Sequence, residues 1–80
     1  MAKEEREKFI LELYNYQVKQ GNSCGGYKKD FSNPEDYRQK VNIVEYWEEK
    51  GIVQVIAKAI GFINFKLTSY GIDYIEKNYL

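Results

Sequence analysis

The strongest constraint on this chain is a helix with a marked start and a marked stop, followed at once by two short apolar segments. Asn33 is a good N-cap, and Pro34 suits the first helical position because its missing N–H is not needed there. Gly51 lies where many helices end with a residue in the left-handed conformation. The sequence therefore predicts a helix over residues 34–50, against which the other segments pack.

Apolar residues within this predicted helix recur at helical spacing. Its apolar stripe, with intervals of four, three and three, consists of Tyr37, Val41, Val44 and Trp47. Its opposite, polar face consists of Arg38, Gln39, Asn42, Glu45, Tyr46 and Glu49. We expect the stripe to pack on the rest of the domain and the polar face to meet solvent or a ligand.

The two apolar segments, 52–57 and 62–67, are rich in Val, Ile and Phe and predict strands joined by a hairpin. Ile60-Gly61 supplies the turn, with Gly61 expected at positive φ. Alternation along the strands predicts a core-facing set of Val53, Val55, Phe65 and Leu67. The same alternation predicts an outer set of Gln54, Ile56, Lys58, Phe62, Asn64 and Lys66.

The segments before the central helix are less regular. Residues 3–20 have the broad apolar face of a first helix, with Gly21 as its stop. Residues 21–33 are rich in Gly and Asn, which predicts either a loop or a short helix. In the short helix, Tyr27 and Phe31 would face the core.

The chain ends in a last predicted helix. Thr68 is its N-cap. Gly71 lies in its first turn, where a glycine costs about 1 kcal/mol relative to alanine. We therefore expect this helix to approach another element closely at that glycine.

Composition limits the classes of function. The 44% hydrophobic and 30% charged side chains fit one globular domain over residues 1–80. A net charge of zero gives no global argument for nucleic acid, so any such argument rests on local clustering. The chain has no His, and its one cysteine, Cys24, lacks a partner for a disulfide, a zinc site or base-assisted nucleophilic attack. We therefore expect no cofactor, no metal site and no enzymatic activity.

Targeting patterns are also missing from the sequence. The charged residues 3–8 do not resemble a signal peptide. No apolar run approaches the roughly 18–20 residues that a membrane helix needs. We expect a cytoplasmic protein without a membrane partner.

The predicted order of helix, short helix or loop, helix, hairpin and helix is similar to that of a winged helix-turn-helix domain. The segment from Val41 to Ile52 resembles the end of a recognition helix in that family. The segment Leu67-Thr68-Ser69-Tyr70-Gly71 resembles the Leu-Thr-x-x-Gly that commonly ends the wing in MarR- and PadR-like regulators and in small phage or plasmid repressors. The resemblance covers nearly the whole chain and implies an α+β winged-helix fold. The chain departs from the family in its short, Gly-rich second-helix region and its tight hairpin turn.

The resemblance implies a transcriptional regulator that binds double-stranded DNA as a homodimer, in the setting of a phage, plasmid or viral gene. The helix over 34–50 would be its recognition helix, with base-reading residues Arg38, Gln39 and Asn42. The expected phosphate contacts are Lys28, Lys29, Lys58 and Lys66. The expected subunit interface consists of Ile56, Ile60 and Phe62.

Each of these expectations has a plainer alternative. The polar helix face can be an ordinary solvated surface, the lysines can serve solubility, and the apolar hairpin residues can pack under the first helix. The rival function is a winged helix used for protein–protein contact without DNA. Zero net charge and acidic residues on the recognition helix favour the rival. The Arg38-Gln39-x-x-Asn42 set and the absence of acidic residues from Lys50 to Ile72 favour DNA.

Overall fold

In a computed structural model, residues 2–80 are described, and they form three α-helices, one π-helical turn and a three-stranded antiparallel sheet. In chain order the elements are α1 (Lys3–Tyr14), the π-helical turn (Asn15–Lys19), β1 (Gly25–Lys28), α2 (Pro34–Glu49), β2 (Val53–Ala59), β3 (Phe62–Leu67) and α3 (Ser69–Tyr79). The predicted α+β class is confirmed. No helix among residues 2–80 combines the length and apolar character that a membrane span requires.

The predicted helix boundaries are confirmed by their caps. The Asn33 side chain accepts a hydrogen bond from the Asp36 N–H at 3.3 Å, and the Thr68 hydroxyl accepts one from the Gly71 N–H at 2.9 Å. Gly21 and Gly51 have φ values of +78° and +76°, so each ends a helical segment in the left-handed conformation. The first helix differs from expectation only at its end, where the last five residues widen into the π-helical turn.

The segment before α2 forms a strand instead of the short helix that was one of two expectations. Within residues 21–33, all of which the structure describes, there is no helix. Strand β1 pairs with β3, with Tyr27 opposite Ile63, and the sheet order is β1-β3-β2. Tyr27 reaches the core through this pairing, because its ring packs near the rings of Phe9 and Phe65. Phe31, the other residue expected to face the core, is 86% exposed.

The hairpin forms as predicted, with Ile60 and Gly61 in its turn, but two details differ. Gly61 does not have the positive φ expected of it. The register between β2 and β3 shifts between Val55 and Ala57, which makes a bulge at Ile56. A bulge reverses the alternation of side chains beyond it.

The bulge places Lys58 on the opposite face of the sheet from the one predicted. Directly opposed residues of antiparallel strands share one face of the sheet. Lys58 is opposite Ile63, which is fully buried, whereas Ala57 is opposite Asn64 on the other face. Lys58 therefore lies on the core side of the sheet, next to α2, and its expected place in the outer set was wrong.

The core lies between the three helices and one face of the sheet. In β3, the buried Ile63, Phe65 and Leu67 alternate with the more exposed Phe62, Asn64 and Lys66, so the opposite face of the sheet is open. The completely or almost completely buried side chains are Ile10, Val44, Ile52, Val53, Ile63 and Ile75. Burial of an aliphatic side chain of this size contributes about 1.5–3 kcal/mol, so this cluster is the main source of stability.

Polar contacts connect the first and last helices around this core. The Tyr14 hydroxyl donates to the Glu76 carboxylate, and the Tyr79 hydroxyl donates to Glu7, each at 2.7 Å. These hydrogen bonds raise the pKa of Tyr14 and the pKa of Tyr79. The Trp47 indole N–H donates to the Arg6 carbonyl at 3.0 Å, which fixes α2 against α1. The first and last helices are thus held to each other, and α1 is held to α2.

The predicted close approach at Gly71 is confirmed. A Cβ atom at this position would contact the Ile52 carbonyl oxygen and lie 2.8 Å from the Ile52 carbonyl carbon. Because the Ile52 carbonyl belongs to the backbone, it cannot move away as a flexible side chain can. A side chain at position 71 would therefore force α3 away from the start of β2.

We expect Gly71→Ala to lower the free energy of unfolding by about 1–3 kcal/mol, the usual cost of overpacking, despite the better helix propensity of alanine. The matched control is Gly61→Ala, because nothing lies within 4 Å of a Cβ at Gly61 and its φ is not positive. Urea unfolding followed by Trp47 fluorescence measures both. Equal midpoints for the wild type and Gly71→Ala would contradict the close packing of α3 on β2.

Candidate functional site

A groove of about 540 Å³ lies between the N-terminal half of α2 and the tip of the β2–β3 hairpin. We call it the α2–hairpin groove. Its apolar lining residues are Pro34, Tyr37, Val41, Ala59 and Ile60. Its charged lining residues, which we call the rim, are Lys29, Glu35, Arg38 and Lys58. Three of the predicted DNA-contacting residues, Lys29, Arg38 and Lys58, therefore meet at one concave surface, together with the predicted interface residue Ile60.

Three structural features bring these rim residues together. The Lys29 backbone N–H donates to the Gly61 carbonyl at 2.8 Å, which ties the segment before α2 to the hairpin tip. The Asn33 cap begins α2 at the groove, so Arg38 lies in its second turn. The bulge at Ile56 turns Lys58 toward α2. The first and third of these are tertiary features without a local sequence signal.

Ion pairs neutralise part of the charge around the groove. Lys58 Nζ lies 2.9 Å from Glu45 Oε2, and this hydrogen bond raises the pKa of Lys58. Lys40 Nζ lies 3.1 Å from Asp36 Oδ2 on the neighbouring side of α2. Exposed pairs of this kind contribute little to stability, but each removes a charge from the field that a ligand meets.

Two cations of the rim are left without an ionic partner. Among residues 2–80, neither Lys29 nor Arg38 forms a salt bridge. Glu35 is the rim carboxylate that no described cation pairs with. The rim thus carries two unpaired positive charges against one unpaired negative charge, in addition to the neutralised Lys58.

The other predicted base-reading residues lie on α2 but outside the groove. Gln39 and Asn42 line a smaller depression of about 250 Å³ together with Ala2, Glu5 and Ile43, on the side of α2 that faces α1. Asn42 is four residues after Arg38 and shares its exposed stripe. Arg38 and Asn42 can therefore meet one ligand surface, with Gln39 at its margin.

The remaining predicted lysines lie on the open face of the sheet. Lys28 is opposite Phe62, and Lys66 is opposite Gln54 at the end of the hairpin away from its tip. Lys28 is next in sequence to Lys29 and close to the groove. Lys66 is separated from the groove by the length of β3, so the four lysines do not form one continuous strip.

None of the three predicted interface residues belongs to the core. Ile56 is 50%, Ile60 is 90% and Phe62 is 38% exposed, so the alternative that they pack under the first helix was wrong. Ile56 lies at the bulge, Ile60 lines the α2–hairpin groove, and Phe62 lies on the open sheet face. The predicted patch is therefore spread over the hairpin and does not form one flat surface.

A second cleft of about 470 Å³ lies beside the π-helical turn. Its walls include the rings of Phe9, Tyr16, Tyr27 and Phe65 and the polar side chains of Glu12, Asn15 and Gln20. Gly25 keeps it open, because a Cβ there would lie 3.2 Å from Leu13 and 3.3 Å from Phe65. Cys24, a half-buried free thiol, precedes this glycine. Within residues 2–80 no cluster of three metal-ligating side chains occurs.

Sequence reasoning missed two features of the site. It did not find Glu45 as the partner of Lys58, because the bulge that joins them has no sequence signature. It also did not find the exposure of Phe31, because an aromatic residue four positions after Tyr27 was expected to face the core. No family model, curated protein or solved structure matches the chain.

Proposed function

We propose that this protein is a transcriptional regulator that binds double-stranded DNA, with α2 as a recognition helix and the β2–β3 hairpin as a wing in a winged-helix arrangement. The observation that carries the proposal is the meeting of Lys29, Arg38 and Lys58 at one groove, from three separate parts of the chain. The direct succession of α2, hairpin and α3 is consistent with it. The missing second helix means that the helix-turn-helix is reduced.

The proposed contacts divide between base edges and phosphates. Arg38 and Asn42 lie on one stripe of α2 and have the chemistry to bind guanine and adenine in the major groove. Lys29 and Lys58 flank that helix and suit phosphate oxygens, which position a protein without specifying sequence. Lys28 extends this margin, whereas Lys66 lies too far along the hairpin to share it. Gln39 takes a secondary role at the edge of α2.

Homodimerisation through the hairpin is the second part of the proposal. Ile56 and Phe62 are partly exposed apolar residues of the hairpin, and burying them in a second copy would remove apolar area from water. Two copies would also bind two half-sites, which gives a small domain more affinity and specificity than one site supplies.

A protein–protein interaction module is the second candidate function. It is favoured by the carboxylates of α2, which include Glu35, Glu45, Glu48 and Glu49, and by the net charge of zero. Those carboxylates repel phosphate and suit a polar interface rim. Ile60, 90% exposed at the hairpin tip, would then be the apolar anchor of the contact.

DNA binding at the groove predicts opposite effects for two substitutions. We expect Arg38→Ala to weaken binding by about 1–3 kcal/mol and to relax sequence preference, because a base contact is lost. We expect Glu45→Gln to strengthen binding and steepen its salt dependence, because Lys58 then becomes available to phosphate. Fluorescence anisotropy with a mixed-sequence duplex at low and physiological salt measures both effects.

The matched control is Lys77→Ala, which removes an exposed cation on α3 outside the groove. It should bind as the wild type does. Absence of wild-type binding even at low salt would refute the DNA function and favour the interaction module. If the wild type binds DNA and neither Arg38→Ala nor Glu45→Gln changes the affinity, the DNA binds at another surface.

Dimerisation through the hairpin predicts that Ile56→Glu splits the dimer, because it introduces a desolvated charge into the interface. The control is Gln54→Glu, which adds the same charge to the same strand at a position outside the apolar set. Sedimentation velocity across a concentration series reports the oligomeric state. A monomeric wild type, or a dimer that Ile56→Glu leaves intact, would be incompatible with this interface.

A further inference from the structure

The Phe31 side chain is exposed and does not contribute to the hydrophobic core. It is 86% exposed, in the segment between β1 and α2. Single exposed apolar residues are common on protein surfaces and need no function. Two further observations, the order of its backbone and the charge beside its ring, distinguish Phe31 from such residues.

The backbone that carries Phe31 is held by three hydrogen bonds. The Asn33 N–H donates to the Asp30 carbonyl at 3.0 Å, which closes a turn with Phe31 at its second position. The Ser32 N–H and hydroxyl both donate to the Asp30 carboxylate, at 2.9 and 2.6 Å. The two bonds from Ser32 lower the pKa of Asp30, because they stabilise its ionised carboxylate. The ring is thus presented by an ordered turn.

A cation lies beside the exposed ring. Lys29 Nζ lies 5.9 Å from the Phe31 ring centroid, and the same lysine lines the α2–hairpin groove. Lys28 precedes it, and Arg38 is on the groove rim. Of the nearby carboxylates, Asp36 is paired with Lys40. Asp30, which accepts from Ser32, and Glu35 keep their negative charge. An exposed aromatic face beside a cation is a combination that binds nucleobases next to a charged backbone.

We propose that Phe31 stacks on a nucleobase at the edge of the α2–hairpin groove, so that the site prefers DNA with an unpaired base over fully paired DNA. This inference rests on the proposed DNA binding at the groove. Stacking on an aromatic ring tolerates any base, because every base has a π-face. The base must first leave its own stack, and that step costs least where it is mismatched or unpaired. A protein anchor is the competing use of an exposed Phe, and the Lys29 ammonium beside this ring favours the nucleic acid.

The test compares two duplexes of equal length and sequence, one fully paired and one with a single-base bulge, by anisotropy titration. The variants are Phe31→Leu, which keeps apolar bulk without a ring, and Phe31→Trp, which keeps a stacking surface. We expect the wild type to bind the bulged duplex about tenfold more tightly, within the range for one stacked base. Phe31→Leu should abolish that preference while keeping the affinity for paired DNA, and Phe31→Trp should retain it.

Tyr70→Leu is the matched control, since Tyr70 is an exposed aromatic residue of α3 outside the groove. It should keep the preference for the bulged duplex. Equal wild-type binding to both duplexes, or a preference that Phe31→Leu leaves unchanged, overturns the stacking role while DNA binding itself stands. A preference that Tyr70→Leu also removes overturns it as well. Absence of wild-type binding to either duplex overturns both proposals and favours Phe31 as a protein anchor.

Discussion

The geometry of this molecule depends on one backbone joint between the end of α2 and the start of α3. The Ile52 carbonyl accepts from the Thr68 N–H at 3.0 Å, and the Thr68 hydroxyl donates to the Gly51 carbonyl at 2.5 Å. Gly71 lets α3 lie directly on the Ile52 backbone. The joint fixes the open end of the hairpin with respect to the end of α2, because β2 begins at Val53 and β3 ends at Leu67.

The bulge in β2 decides what that groove can do chemically. Without it, Lys58 would lie on the open face of the sheet and the rim would lack a cation from the hairpin. With it, Lys58 reaches α2, and there it meets Glu45. The same backbone irregularity that brings the cation to the groove therefore also neutralises it. A ligand phosphate has to compete with Glu45 for Lys58, which makes Arg38 and Lys29 the readily available cations.

The sequence predicted the elements whose signals are local. The caps at Asn33 and Thr68, the stop at Gly51 and the position of the hairpin turn each depend on a few adjacent residues, and each was confirmed. The positive φ expected at Gly61 was wrong. The close approach of α3 at Gly71 was also predicted, because a glycine that lowers helix propensity indicates a close contact. Strand β1 was not predicted, since four residues with two glycines have little strand propensity, and their order comes from pairing with β3.

The sequence also predicted part of the candidate site. The exposure of Arg38, Gln39 and Asn42 followed from helical periodicity and was confirmed. Their division between two depressions depends on how α1 and the hairpin flank α2, which is tertiary information. The partner of Lys58 and the exposed turn at Phe31 depend on a bulge and on the pairing of β1. Neither leaves a periodic pattern in the residues, so both required the structure.

A net charge of zero is compatible with the proposed function because charge acts locally at a contact surface. Two of the acidic residues of α2 are neutralised within the molecule: Asp36 by Lys40 and Glu45 by Lys58. The cations that remain are few, and each neutralised phosphate adds only one increment to affinity. One copy would therefore bind DNA weakly through charge alone. A stacked aromatic ring would add affinity that does not depend on charge. A second copy bound to the same duplex would add further affinity, which the charges of a single copy do not supply.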